Sequence, residues 1–431
     1  MFIKLSFILF SISTIIFSCN DSIDNSGQST ISNEQGSICP LKNVYKLPNP
    51  NIQGVNVFMD ASGSMRDFMP STQPSTDFQK LIPDLLSRLN SDFPGFSFYA
   101  LVQKNKPINI IDINTIKKQI AYGQFIFGQS SPLPVMFDSV ISHSNTGYLS
   151  ILITDAIYSL PANIKNTRDQ VITDIREKVL KAQGKGLAIS CFGLKSQLGN
   201  IVSPYYLFVI ASPQNITAFK EKLKNTFNGI NPIITNKDFS EINFGYPDLN
   251  PFYSIIPYVE NTGAGEPAPC PDWDNRYLLV ENVKIRDDPE FWIGINLSAC
   301  PKFAQEIDYL KNNLLIENKG LNSIRVDNIL TKAQFSPKLK DAEDIRLNDN
   351  CTHFFRIKIT EMQDRNGVIK LSLKKTDPTW LALWNHDNSQ VAESYREKTY
   401  GLSNVIAGIK DAYTATETGY FFKELKIVIT K

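Results

Sequence analysis

Apolar residues fall into two kinds of run along this chain. Some are near-continuous and rich in β-branched and aromatic side chains: Val55 to Met59, Phe96 to Val102, Tyr148 to Thr154, Leu187 to Leu194 and Tyr205 to Ala211. Runs of this kind are what strands buried on both faces of a sheet require. Others recur at helical spacing. Phe78, Leu81, Ile82, Leu85, Leu86 and Leu89 line one side of a helix, and Ile164, Val171, Ile175 and Val179 line another over 163–183. Ser212-Pro213 opens a third helix that runs to about Phe227. Each such stripe is the face a helix lays on a sheet. Between them, 108–113 reads as a short strand, 114–121 as a brief helix, and Ser130-Ser131-Pro132 as a helix entry, since proline is tolerated in a first turn and serine can cap it.

Strand and helix therefore alternate over 51–228, the pattern of an α/β domain with a doubly wound, mostly parallel, Rossmann-like sheet. The pattern then changes. Residues 229–275 are irregular and rich in proline and glycine, and read as a linker. Strand-like runs follow at 277–285, 291–298, 323–331, 353–361 and 367–375, with a helical region over 391–414 and a closing strand from Tyr420 to Thr430. Residues 276–431 are thus expected to form a β-rich domain with one main helix. A chain of 431 residues suggests two or three domains at roughly 100–200 residues each, and the pattern gives two.

The first fifty residues obey neither pattern. Lys4 precedes an apolar run from Leu5 to Phe17, the length of a signal-peptide core and too short to span a bilayer. The run ends Ile16-Phe17-Ser18-Cys19, which resembles a bacterial lipobox. The resemblance implies that residues 1–18 are removed and that Cys19 is acylated. The product would be exported and lipid-anchored to a membrane of the bacterial cell envelope. Residues 19–50 then form a tether and lead-in loop, Ser/Asn/Asp/Gly-rich as far as Ser37.

Charge and cysteines refine this picture. Lysine plus arginine number 44 against 43 acidic residues, with no basic cluster, which argues against a nucleic-acid partner. Losing residues 1–18 takes Lys4 with them and leaves 43 of each, so attachment would rest on lipid and not on electrostatics. Five cysteines remain after Cys19. An oxidising compartment permits disulfides. Cys191, inside an apolar run, reads as a small core residue, which leaves Cys39, Cys270, Cys300 and Cys351 to pair in any of three ways.

The chemistry gathers where strands end. Val55 to Met59 stops at Asp60, and Ser62 and Ser64 follow around Gly63; Tyr148 to Thr154 stops at Asp155. A carboxylate and two hydroxyls in a tight turn are hard oxygen donors of the kind Mg²⁺ takes. In an open α/β sheet, ligands bind beyond the carboxyl ends of strands where strand order reverses. If the two strands are neighbours there, Asp60 and Asp155 face one site, with the 128–132 turn as its third wall.

Asp60-Ala61-Ser62-Gly63-Ser64 resembles the DxSxS motif of the von Willebrand factor A domain, whose metal-ion-dependent adhesion site holds Mg²⁺ or a similar cation. The resemblance covers roughly 180 residues. It implies a ligand set of Asp60, Ser62, Ser64, a second-loop hydroxyl and the third-loop Asp155. Ser131 is the closest match to the second-loop threonine, with Ser130 as substitute. Ala156 stands where the family often has glycine, a departure expected to alter loop shape more than binding.

Other features point elsewhere. His143, His353 and His386 are far apart, and no GxSxG, HExxH or P-loop is present, so neither Ser62 nor Ser64 has the sequence context of a hydrolase nucleophile and the chain is not expected to be an enzyme. Trp380 and Trp384 read as a packed core edge, and Arg396, Lys398 and Tyr400 as the solvated face of a helix. The expectation is a lipid-anchored envelope binding protein that grips a carboxylate of a protein partner through Mg²⁺, or alternatively Mn²⁺ or Ca²⁺. The alternative is a structural or assembly component of an envelope complex, with the same domain as scaffold.

Overall fold

The computed structural model describes residues 49–72, 74–102, 108–110, 112–128, 132–158, 168–229, 239–259, 265–270, 275–283, 289–362, 364, 366–388 and 396–430. The signal and lipidation residues, Cys39, Ser130 and Ser131 lie outside them.

The first half is built on a seven-stranded sheet, ordered β3-β2-β1-β4-β6-β5-β7. Its strands are β1 (Gly54–Asp60), β2 (Phe96–Leu101), β3 (Ile108–Ile110), β4 (Tyr148–Thr154), β5 (Ala188–Leu198), β6 (Ile201–Ala211) and β7 (Ser240–Phe244). The helices between them are α1 (Asp77–Asp92), α2 (Ile113–Ala121), α3 (Leu133–Ser142), α4 (Arg168–Gly184) and α5 (Pro213–Gly229). Alternation along β1 sends Val55, Val57 and Met59 to one face, under α1, α2 and α5, and Phe58 to the other, under α3 and α4. Helices cover both faces, as the apolar runs require.

The sheet is mixed, which corrects the expectation of a mostly parallel one. Only β1 pairs in parallel, with β2 on one side and β4 on the other; the β2–β3, β4–β6, β5–β6 and β5–β7 pairs are antiparallel. The cause is local. β5 and β6 are joined by Gly199-Asn200, with Leu198 opposite Ile201, and a two-residue hairpin can only connect antiparallel strands.

The second half is built on a nine-stranded sheet. Its strands are β8 (Tyr253–Ile256), β9 (Glu266–Cys270), β10 (Arg276–Glu281), β11 (Glu290–Ile295), β12 (Leu314–Lys319), β13 (Leu321–Thr331), β14 (His353–Met362), β15 (Asn366–Lys374) and β18 (Tyr420–Thr430). Pairing is antiparallel except between β10 and β18. Phe291, Ile293 and Ile295 enter the main core on one face, and Trp292 packs with Phe335, Leu347 and Phe354 on the other. Short helices α6 (Ile307–Asn313), α7 (Lys332–Phe335) and α8 (Ala342–Asp349) pack alongside.

The halves are not divided where the sequence suggests. The stretch 229–275, read as a linker, contains β7, the edge strand of the first sheet, and β8 and β9 of the second. After β15 the chain returns to the first half. It forms α9 (Thr379–Trp384), the β16 (Asn385–His386) and β17 (Thr399–Tyr400) pair, and α10 (Leu402–Tyr413). Leu402, Val405, Ile406 and Ile409 of α10 share a core with Val171, Ile175 and Val179 of α4. Contact is close enough that a Cβ on Gly408 would lie 2.7 Å from the Ile172 carbonyl oxygen and 2.9 Å from Ile175 Cβ. Trp380 belongs to the same core, so that indole is packed and not a surface groove. The described residues accordingly form one compact unit.

The cysteines also depart from the expected pairing. Cys270 is disulfide-bonded. Cys300 and Cys351 are free thiols, both buried, as is Cys191 within β5. All three sit in apolar clusters, where a thiol packs as a small hydrophobe.

Candidate functional site

β1 and β4 are adjacent and parallel, with Met59 opposite Ile153, so Asp60 and Asp155 emerge side by side at the carboxyl edge of the sheet. They are 2% and 3% exposed. Both loops are shaped by short hydrogen bonds. The Ser62 amide donates to Asp60 Oδ1 at 2.8 Å, closing the turn into the 3-10 segment Gly63–Phe68, and the Thr154 hydroxyl donates to Asp60 Oδ2 at 2.7 Å. The Ala156 amide donates to Thr154 Oγ1 at 3.0 Å and the Ile157 amide to Asp155 Oδ1 at 3.2 Å. Ala156 itself has φ +56°, so an alanine occupies the left-handed conformation that glycine adopts without strain.

The hydroxyls of Ser62 and Ser64 lie 3.0 Å apart, and Ser64 also interacts with the Asp155 carboxyl. Four of the five expected ligands, Asp60, Ser62, Ser64 and Asp155, therefore converge. The fifth, Ser131 or Ser130, lies outside the described residues. The second loop does approach the first, because the Gly128 amide donates to the Ala61 carbonyl at 2.7 Å.

Electrostatically the site is under-compensated. Burial, and then the neighbouring Asp155 carboxylate, push Asp60 up to about 7 against the hydrogen bonds from Thr154 and Ser62. Burial raises Asp155 as well, opposed by Ser64, the Ile157 amide and Arg396. Asp155 Oδ2 is buried and accepts no hydrogen bond among the described residues. An unpaired carboxylate oxygen held out of water is costly unless a cation reaches it.

The donor set fits a hard cation with waters completing its shell. Among the described residues no three His, Cys, Asp or Glu side chains group as metal ligands, so hydroxyls would supply part of the shell. None of the three histidines belongs to this cluster. The His143 ring lies against Phe58 and Tyr99, His353 begins β14 and His386 packs on Tyr400.

One site residue escaped the sequence reading. Arg396, expected on the solvated face of a helix, lies in the turn before β17, and its side chain is 16% exposed. Its Nη2 donates to Asp67 Oδ2 at 2.9 Å, and its Nη1 stands 3.6 Å from Asp155 Oδ2. Thr399, three residues on, donates to the Asp155 carbonyl at 3.2 Å and lies 3.0 Å from the Tyr206 hydroxyl. No local signal marks Arg396, because it meets Asp155 only through the tertiary fold. Beside it opens a cleft of about 800 Å³ lined by Arg66, Asp67, Phe125, Phe127, Ile201 and Arg396 among others.

The chain matches no protein-family model, no curated protein and no solved structure.

Proposed function

We propose that this chain is a lipid-anchored binding protein of the bacterial envelope, whose first half is a von Willebrand factor A-like domain that engages an acidic group of a protein partner through Mg²⁺ or a similar cation. The observation that carries this reading is the convergence of Asp60, Ser62, Ser64 and Asp155, where the buried Asp155 Oδ2 accepts no hydrogen bond among the described residues. A divalent cation there would neutralise the two aspartates and retain an outward coordination position that a partner's carboxylate could take in place of water. The adjoining cleft, with Arg66 and Arg396 in its wall, gives room for such a partner. Cys19, in its lipobox-like setting, supplies the anchor.

The test is capture of envelope proteins on the immobilised chain in Mg²⁺ and again in EDTA, with Asp60→Ala alongside. The reading expects partners that are lost in EDTA and lost on Asp60→Ala. Partners held equally well in all three conditions would overturn it.

A scaffold role in an envelope assembly is the second reading, favoured by the core that α10 shares with α4, which ties both halves into one body. A large thermal shift in Mg²⁺, with no metal-dependent partner, is the result that reading expects.

A further inference from the structure

Arg396 is the one guanidinium at the two-aspartate cluster among the described residues, and it comes from more than 200 residues beyond either aspartate in sequence. Its position is built, not incidental. The segment carrying it is pinned by the Thr399 contacts to the Asp155 carbonyl and to Tyr206, and by the Gly401 amide donating to the His386 carbonyl at 3.0 Å. Asp67 orients the guanidinium from the solvent side.

The geometry at its inner end is unusual. Nη1 of Arg396 and Oδ2 of Asp155 are both buried, and among the described residues neither makes a hydrogen bond. They face each other at 3.6 Å, inside ion-pair range and beyond hydrogen-bond range. Arg396 thus offers its charge to Asp155 without satisfying the oxygen. A divalent cation bonded to that oxygen would sit near the guanidinium in a site with little water to screen the repulsion.

We infer that Arg396 is an intramolecular competitor for the cation site: it offsets the charge of Asp155 when metal is absent, and must swing away from Asp155, toward Asp67 and the cleft, when metal binds. This rests on the cation reading of the site and specifies its regulation. Because Arg396 belongs to the β16–β17 segment, anything that displaces that segment would raise the affinity for metal.

The test is titration of Mg²⁺ and of Mn²⁺ into the full chain by calorimetry, comparing wild type with Arg396→Gln and Arg396→Lys. Glutamine retains a donor for Asp67 without the charge; lysine retains the charge without the fork. Circular dichroism establishes that each is folded, and Arg396→Met replaces the glutamine variant if that one is not. Loss of the charge should tighten cation binding by about tenfold or more, the scale of one unscreened like charge nearby. Arg396→Lys should stay within a few-fold of wild type. Without metal, Arg396→Gln should melt at lower temperature than wild type, and saturating Mg²⁺ should narrow the gap. Equal cation affinity in all the proteins, or weaker binding by Arg396→Gln, overturns the competition while leaving the cation site standing. No binding of either cation by any of the proteins overturns both.

Discussion

Asp60→Asn tests the electrostatics of the site with little change of shape. With its carboxyl raised from 3.8 to about 7, the folded protein binds a proton that the unfolded chain has released, so the linkage slope is negative between those values. The stability that protonated Asp60 retains is fully present below about pH 4, falls as pH rises, and is gone just above pH 7. Raising the carboxyl from 3.8 to about 7 corresponds to about 4 kcal/mol. Of this, about 1.5 kcal/mol is already lost at pH 5, leaving roughly 2.5 kcal/mol between pH 5 and pH 8. Asparagine at this position does not titrate and carries no such pH dependence. It forfeits one of the two hydrogen bonds that the Asp60 oxygens accept, a loss of about 1 kcal/mol that does not depend on pH. In EDTA at pH 8 the variant should therefore be the more stable protein by about 3 kcal/mol, with its advantage nearly gone by pH 5. Urea unfolding followed by tryptophan fluorescence measures this directly. In Mg²⁺ the order should reverse if the cation binds, because at a thousandfold excess over Kd wild type alone gains about 4.1 kcal/mol, more than the variant's advantage. A variant less stable than wild type at pH 8 in EDTA, or a difference that does not change with pH, would refute the account of a strained aspartate pair.

Three smaller perturbations probe the surroundings. Gly408→Ala, which at an exposed helical site would stabilise by nearly 1 kcal/mol, should here destabilise by about 1–2 kcal/mol, because its Cβ would press on Ile172 and Ile175; thermal melts give the sign. Thr399→Val removes the hydroxyl between Tyr206 and the Asp155 carbonyl and should cost about 1–3 kcal/mol, read from the urea midpoint. Cys191, Cys300 and Cys351 should resist a thiol reagent in the native protein and react once it is unfolded, with peptide mapping to assign each.

What the sequence disclosed was whatever short stretches can encode. The β-branched run into Asp60 and the apolar run into Asp155 ended at the sheet edge as read, and their adjacency placed both carboxylates at one site. The α1 stripe from Phe78 to Leu89 lies buried as its spacing requires. The antiparallel turn of the sheet was also legible, since Gly199-Asn200 between two strands is a hairpin signal. It is obscured because Lys195, Ser196 and Gln197 end the first apolar run and Ser203-Pro204 interrupts the second, so each run reads as a shorter strand. Arg396 was not legible at all. Its meaning depends on Asp155, 241 positions away, and nothing in the periodicity of its own segment reports that contact.

α10 carries the same lesson to a stronger test. Its stripe of Leu402, Val405, Ile406, Ile409 and Tyr413 announces that it covers something apolar, and the sequence assigned that surface to a separate C-terminal domain. Instead it covers α4, and Tyr413 donates to the Leu187 carbonyl at 2.6 Å beside β5. Burying those five side chains is worth on the order of 10 kcal/mol, at about 1.5–3 each. That is comparable to the whole stability of an ordinary domain. A fragment of residues 49–247 keeps every strand of the first sheet and every described candidate ligand, yet loses α10, Thr399 and Arg396. It should lack cooperative urea unfolding and fixed near-ultraviolet circular dichroism, and supplying a 376–418 peptide in trans should restore neither at micromolar concentration, since joining the two costs several kcal/mol of lost freedom. A fragment that unfolds cooperatively, with amide protection in β1 and β4 matching the full chain, would show that the first sheet is an autonomous domain and that α10 merely decorates it.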